Sequence, residues 1–287
     1  METAFAELPL AIFTTLASIG AGSFIVLACV LWRRNLSSTQ MKALDRAMLV
    51  PFMVAGVGFV ASFLHLTAPL HAVYVFAGVG SSPLTNEICC GIVFMAAAFL
   101  YLVLALIGKL GNARRPFALV VAALATVFVI FVGLAYIVLT IVSWNTALVP
   151  AEMLGYALVG GAALMVCVAQ YAGVLDEETR TVLKMPLVIL VVCGLVLALA
   201  APIIHIAIIN GLGNAVSQGS TLVSEALPYV LVGLVLIALS AVELLWGIAK
   251  GFTPARGLRS TLEALVGIFL LRLTFYALYL SIGVTLM

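Results

Sequence analysis

The feature that most constrains this chain is an apolar run long enough to cross a bilayer, repeated eight times. The runs lie at about 9–32, 47–66, 87–108, 117–143, 152–173, 186–209, 226–248 and 262–286. About 20 apolar residues in helical conformation cover the roughly 30 Å hydrocarbon core. Hydrocarbon offers backbone amides no water to bond, so each run must satisfy its own N–H and C=O groups as a helix. A transmembrane barrel would show ten-residue alternation of apolar and polar residues, and these runs are continuous. The expected fold is all-α: a polytopic membrane protein of eight transmembrane helices forming one integral membrane domain over 1–287. Composition agrees: 65% of residues are hydrophobic and 8% charged, against about 25% charged in soluble domains. The first run follows Met1–Glu7, which lacks Lys and Arg, so no cleavable signal peptide is expected.

Charge then orients the frame. Arg33, Arg34, Lys42 and Arg46 fall in the first connection, and Lys109, Arg114 and Arg115 in the third. Arg180 and Lys184 fall in the fifth, and Lys250, Arg256 and Arg259 in the seventh. Twelve of the thirteen cations thus share one side, which the positive-inside rule makes cytoplasmic, with both termini outside. The thirteenth, Arg272, lies about midway along the last run. Trp32, Trp144 and Trp246 sit at or just past the ends of runs, where amphipathic rings favour the interface. Ser82-Pro83 or Thr85-Asn86 can open the third helix. The five cysteines all lie in apolar runs without a C-x-x-C pair, which reads as buried side chains and gives no iron–sulfur or zinc site.

Four plus four helices would give two halves of the same orientation. His65 ends the second helix outside and Glu87 opens the third; His205 and Glu225 stand in matching places in the second half. The halves are therefore read as a weak parallel repeat, with His205 and Glu225 as a degenerate counterpart of the first pair.

The polar chemistry collects on the charge-poor side, in His65, His71, His205, Glu87, Glu152 and Glu225. His65 can take a proton from, or bond, a hydroxyl of a lipid-soluble ligand; it can equally be an interfacial histidine bonded to water or a carbonyl. Glu87 can accept a proton facing His65, or simply sit in a first helical turn where the dipole favours a carboxylate. Together they suit a two-proton oxidation. Arg272 should face the bundle interior, paired with a carboxylate or backbone carbonyls, or polarise a ligand oxygen. Glu243 is expected to snorkel, with Lys250 as partner. His65 and His205 could ligate one b-type heme near the outer face, while a second heme has no ligands. The glycine pairs Gly56/Gly58 and Gly160/Gly161 read as helix packing rather than phosphate loops, and the basic connections as topology signals rather than nucleic-acid patches. A transporter remains a separate reading, disfavoured by the apolar midplane.

The stretch Gly58-Phe59-Val60-Ala61-Ser62-Phe63-Leu64-His65-Leu66, then Pro69, Val79-Gly80, Ser82, Leu84 and Asn86-Glu87-Ile88, resembles the membrane-anchor subunits of the dimethyl sulfoxide reductase family (DmsC-like). Pro9–Thr14, Arg272, Phe275-Tyr276 and Gly283 look similar too, as does the eight-helix layout. The resemblance implies a multi-pass anchor in the bacterial cytoplasmic membrane that binds menaquinol near the outer face and oxidises it. Electrons would pass to an iron–sulfur subunit and then a molybdopterin catalytic subunit, both docked on the outer face. It implies His65 and Glu87 as catalytic and quinol-binding residues; Arg272, read above as able to polarise a ligand oxygen, is added for quinol binding. Menaquinol would be the bound substrate, with no heme, iron–sulfur cluster or molybdenum in this chain and no nucleic-acid partner. His71 departs from the Arg often found there. A polysulfide-reductase-type quinone-reactive anchor is the neighbouring alternative.

The frame is tested by labelling. A cysteine placed at Ser38 should react with a membrane-impermeant maleimide only after permeabilisation, and one at Ser81 in intact cells; the opposite pattern would invert the topology.

Overall fold

A computed structural model describes residues 2–65 and 69–282, excluding the side chains of 2, 3 and 69–73. The His71 side chain and Gly283, both singled out above, therefore lie outside the described residues. The described elements are α1 (Glu2–Ala6), α2 (Leu8–Arg33), α3 (Ser38–Ala47), α4 (Leu49–Leu64), α5 (Pro83–Leu106), α6 (Arg114–Leu134), α7 (Leu148–Tyr171), α8 (Glu177–Asn210), α9 (Gly219–Lys250) and α10 (Pro254–Ala277). Among the described residues, eight helices are long and apolar enough to cross a membrane, α3 and α4 together supplying the second span.

Several boundaries differ from the sequence reading. The second, sixth and seventh spans start earlier, at Ser38, Glu177 and Gly219 rather than at about 47, 186 and 226. Three other spans differ for reasons that can be named. The fourth span stops at Leu134, not at 143, and the chain over 135–147 turns back to make an isolated bridge between Ile141 and Ser281. Its β-branched residues Ile137, Val138, Thr140 and Ile141 stiffen the side chain against helix, and pairing with the C-terminal strand-like segment wins. The third span begins at Pro83, where Ser82 accepts the Thr85 amide and Pro83 fits the first helical position. The last span runs 254–277, because Thr253 caps it and Pro254 starts it; charged residues in its first turns hid this from hydropathy.

The bundle is organised around α2 and α7, the two most enclosed spans. They meet backbone to backbone. A Cβ built on Gly22 would overlap the Ala157 carbonyl, and one on Gly161 would overlap the Gly22 backbone. Ser23 Oγ donates to the Gly161 carbonyl at 3.2 Å and to Ile19 O at 3.0 Å. Small residues permit this approach where no hydrophobic force separates protein from lipid. Gly58 similarly meets the α2 backbone at Ala17 N, 2.9 Å from an added Cβ, and Gly160 meets the side chains of Ile19 and Ile268. Gly56, by contrast, would place a Cβ no closer than 4.0 Å, at Met95 Cε.

Each half repeats one packing order. In the first, α2 packs on α4 and α6, and α5 on α6; in the second, α7 packs on α8 and α10, and α9 on α10. The halves differ at one seam, since α8 and α9 pack extensively whereas α4 and α5 scarcely touch.

The cation-bearing ends of the helices form a basic face laced by ion pairs. Arg34 makes a fork to Glu178 at 2.5 and 2.7 Å and donates from Nε to Thr179 at 3.2 Å, tying the first half to the second. Arg114 pairs with the buried Asp45. Arg180 donates to the Ile248 carbonyl at 2.8 Å, satisfying the end of α9. Asp176 caps α8, and bonds from the Thr179 hydroxyl and amide hold its carboxyl below the usual range. Glu243 is bound by Arg256 at 3.0 Å and by Arg259 rather than by Lys250, because α10 starts early enough to bring both arginines beside it. The first and last described segments lie together on the opposite, charge-poor face, where Ala4 packs with Leu273, Phe275 and Ala277.

Replacing Gly161 with Leu should destabilise the detergent-solubilised protein by at least about 1–3 kcal/mol, the usual cost of overpacking, while Gly56→Leu leaves its thermal midpoint unchanged. Equal midpoints would remove α2–α7 contact as the organising packing.

Candidate functional site

The charge-poor face carries the ionisable groups that helix ends bring together. Arg272 is fully buried at 0% exposure. Because α10 ends at Ala277, it lies five residues from that end rather than midway along the span. Among the described residues it bonds neither a carboxylate nor a carbonyl, the structural partners expected of it. Its Nε donates to Thr14 Oγ1 on α2 at 3.0 Å and its Nη2 to the Tyr276 hydroxyl at 3.3 Å. The guanidinium carbon lies 4.1 Å from the Phe275 ring centroid, 5.1 Å from Tyr136 and 5.2 Å from Tyr276. Aromatic faces thus offset part of the desolvation of the cation. Nη1 is buried without a hydrogen-bond partner among the described residues.

The cage is held from the loop that hydropathy alone places in a helix. Tyr136 and Tyr276 share a hydrogen bond of 2.5 Å. Trp144 stacks on Phe275 at 5.1 Å and donates from its indole N–H to the Phe275 carbonyl at 3.3 Å. This tryptophan serves the cluster, whereas Trp32 and Trp246 are exposed near the basic face, as an interface ring should be. Ser143 anchors the loop, its hydroxyl accepting the Leu280 amide at 2.9 Å.

Glu87 lies in the second turn of α5, not the first, since the helix begins at Pro83. It is buried, and it lies within Coulombic range of Arg272, as does Glu152 of α7. The guanidinium therefore sits in electrostatic reach of a carboxylate from each half.

The histidines pair differently from the sequence reading. His65, at the end of α4, faces Glu7 at the start of α2, with Nε2 to Oε2 at 3.4 Å and side chains 35% and 31% exposed. That approach lacks hydrogen-bond geometry, and Glu7 Oε2 is left without a hydrogen-bond partner among the described residues. His205, near the end of α8, bonds Glu152 through Nδ1 at 2.9 Å and the Ser143 carbonyl through Nε2 at 2.6 Å. Both side chains are only 4% exposed. The expected pairing of His205 with Glu225 is thus corrected, for Glu225 is exposed on α9 and both His205 ring nitrogens are taken. Because Ser143 O only accepts, Nε2 carries a proton, and the His–Glu contact holds one further proton between its two atoms. With Nε2 on a carbonyl and Nδ1 on a carboxylate, His205 has no ring nitrogen left to ligate a heme. Beside the pair, Tyr156, Pro202, Thr274 and Phe275 help line a cavity of about 20 Å³, room for one water.

Sequence reasoning misses Glu7 and Tyr136 as members of these clusters. It finds Glu152 as one of several acidic groups on this face but gives it no partner.

The chain matches, over residues 1–278, the family described as DMSO reductase anchor subunit (DmsC). It is 30% identical over 287 residues to the C subunit of anaerobic dimethyl sulfoxide reductase from Escherichia coli K12, covering 99% of this chain and 98% of that one. The C subunit of the same enzyme from Haemophilus influenzae is 29% identical over 291 residues, covering 100% and 99%. A further E. coli K12 relative, the anaerobic dimethyl sulfoxide reductase subunit YnfH, is 28% identical over 226 residues, covering 78% and 77%.

His205→Leu would leave Glu152 buried and unpaired, and should cost about 3–5 kcal/mol in thermal unfolding of the solubilised protein, the usual penalty for breaking a buried pair. The double variant His205→Leu/Glu152→Leu should recover most of it; no recovery would mean that the pair is not what the single change breaks.

Proposed function

We propose that this chain, which belongs to the DMSO reductase anchor subunit family, oxidises menaquinol at its charge-poor face and passes the electrons to soluble partners. A multi-pass membrane anchor of a DMSO reductase complex is the coarse reading that family membership carries. Such an anchor associates with the reductase's catalytic and iron–sulfur subunits. The positive-inside rule makes the charge-poor face the outer one, so both termini, His65 and the soluble partners belong there, with the basic face in the cytoplasm of a bacterial inner membrane.

The observation that carries the reading is the partly exposed His65 on the same face as buried Glu87 and Arg272. Oxidation of a quinol releases two electrons and two protons, so the site needs two bases and an escape for charge. His65 bonds one quinol hydroxyl and takes its proton through a ring nitrogen. Glu87 serves the second proton, within electrostatic reach of Arg272. The orphaned Nη1 of Arg272 supplies a buried donor suited to a ligand oxygen, since an unsatisfied cationic donor in a dry interior is costly. Electrons leave to an iron–sulfur centre of the partner. Protons released at this face enter outer water directly, so turnover carries none across the bilayer. The aromatic and aliphatic surroundings keep water away from the cation and so strengthen its field.

The polysulfide-reductase-type alternative would use the same face with another partner; identifying the subunits that co-purify separates the two. The quinol step is tested on the assembled complex. His65→Leu and Glu87→Gln should each lower quinol-dependent turnover by about 10²-fold or more, the scale of a positioned proton acceptor. Turnover driven by a dye that feeds electrons straight to the soluble subunits should be unchanged. Normal quinol-dependent turnover in His65→Leu would overturn the assignment.

A further inference from the structure

The two halves place a histidine and a glutamate in the same relation, and it is not the relation their sequence spacing suggests. In each half the carboxylate stands at the charge-poor end of the first helix, α2 or α7. The imidazole stands at the same end of the second, α4 or α8. The second-half pair is closed: His205 gives one nitrogen to Glu152 at 2.9 Å and the other to Ser143 O at 2.6 Å, so neither is left for a ligand. The first-half pair is open. His65 Nε2 stands 3.4 Å from Glu7 Oε2, both side chains are about one-third exposed, and that oxygen is itself buried and has no hydrogen-bond partner among the described residues.

We infer that Glu7 is the proton-accepting partner of His65, and that His65–Glu7 is a working relay of which His205–Glu152 is the locked structural copy. The assignment rests on the quinol-oxidising reading above. The geometry divides the imidazole between two tasks. Nε2 faces Glu7, which leaves Nδ1 for the quinol hydroxyl. As the quinol O–H bond breaks, an N–H bond forms at Nδ1. The Nε2–H proton passes to the buried Oε2 of Glu7, and rotation of the carboxyl turns it toward the water that reaches the exposed third of the side chain. The imidazole ends neutral with its tautomer exchanged. The second proton leaves by Glu87, and the two electrons go to the partner's iron–sulfur centre, so the balance closes. Nε2 and Oε2 already stand 3.4 Å apart, so a reorientation of the ring or the carboxylate is what makes the hydrogen bond, and catalytic contacts commonly align and tighten when substrate binds.

Glu7 acts through His65, so its test must separate positioning from folding. In the assembled complex, Glu7→Gln should lower kcat for quinol oxidation about 10-fold or more while changing KM less than about twofold, since the amide cannot take the proton but leaves the ring free to bind. The pH profile of kcat should lose the limb that the carboxylate supplies, and Glu7→Asp should restore part of both. Dye-driven turnover should be normal in every variant. A wild-type kcat and pH profile in Glu7→Gln would overturn the inference. If Glu7→Gln does not assemble, Glu7→Asp alone decides: kcat must fall with KM held, and a wild-type kcat overturns the relay. Inactive His65→Leu beside normal Glu7→Gln removes only Glu7, whereas normal His65→Leu removes the quinol reading itself.

Discussion

Contact between the α2 and α7 backbones is the constraint on which the rest of the bundle depends. Gly22, Ala157 and Gly161 leave no room for a larger side chain at the crossing, so the first helix of each half is fixed against the other at van der Waals distance. In lipid, apolar surface gains little by turning inward, and tight packing with a few hydrogen bonds must supply the association. The Ser23–Gly161 bond adds one such contact. Because α4 and α6 hang on α2, and α8 and α10 on α7, every group on the charge-poor face inherits its position from that crossing. Thr14 on α2 reaches Arg272 on α10 because the two helices, each packed beside α7, also touch each other.

Arg272 shows how the fold manages a charge it has buried. Aromatic faces and two hydroxyls surround it instead of a carboxylate. A close ion pair would have confined its field to one neighbour. Held by rings, the cation keeps its influence on Glu87 in one half and Glu152 in the other. The cost is an Nη1 left without a hydrogen-bond partner among the described residues, which is the kind of local deficit that functional sites retain.

Much of the fold was legible in the sequence because hydropathy and charge are local properties that a bilayer reads segment by segment. The eight spans, the sidedness of twelve cations and the Ser82-Pro83 helix start needed no knowledge of distant partners. The exceptions mark where distance matters. Residues 135–143 are apolar enough to continue a span, yet they bend away to meet Ser281 and Leu280, a pairing that no window around residue 140 contains. Thr253-Pro254 announced the start of the last helix, but Arg256, Arg259 and Glu263 masked it in the hydropathy. The ionisable residues themselves were identifiable from their rarity in apolar runs. Their pairing was not: Glu87 and Glu225, which follow the histidines in sequence, lie by Arg272 and on the exposed side of α9, while Glu7 and Glu152 reach the histidines through helix packing. His71, whose side chain lies outside the described residues, stays where the sequence left it.

The crossing also sets a timetable for biogenesis. The Ser23–Gly161 contact joins residues 138 positions apart. At roughly 5–20 residues per second of synthesis, Gly161 follows Ser23 out of the ribosome by about 7–28 seconds. Through that interval small and hydroxyl residues of α2 that end buried in the finished bundle, Thr14, Thr15, Ser18, Gly22 and Ser23, await their later partners. Three of its four hydroxyls bond back to their own helix, Thr14 to Leu10 at 2.8 Å, Thr15 to Ala11 at 2.7 Å and Ser23 to Ile19 at 3.0 Å, while Ser18 Oγ has no partner among the described residues. The helix is thereby nearly self-sufficient as a monomer in the bilayer and still adhesive once its late partner arrives.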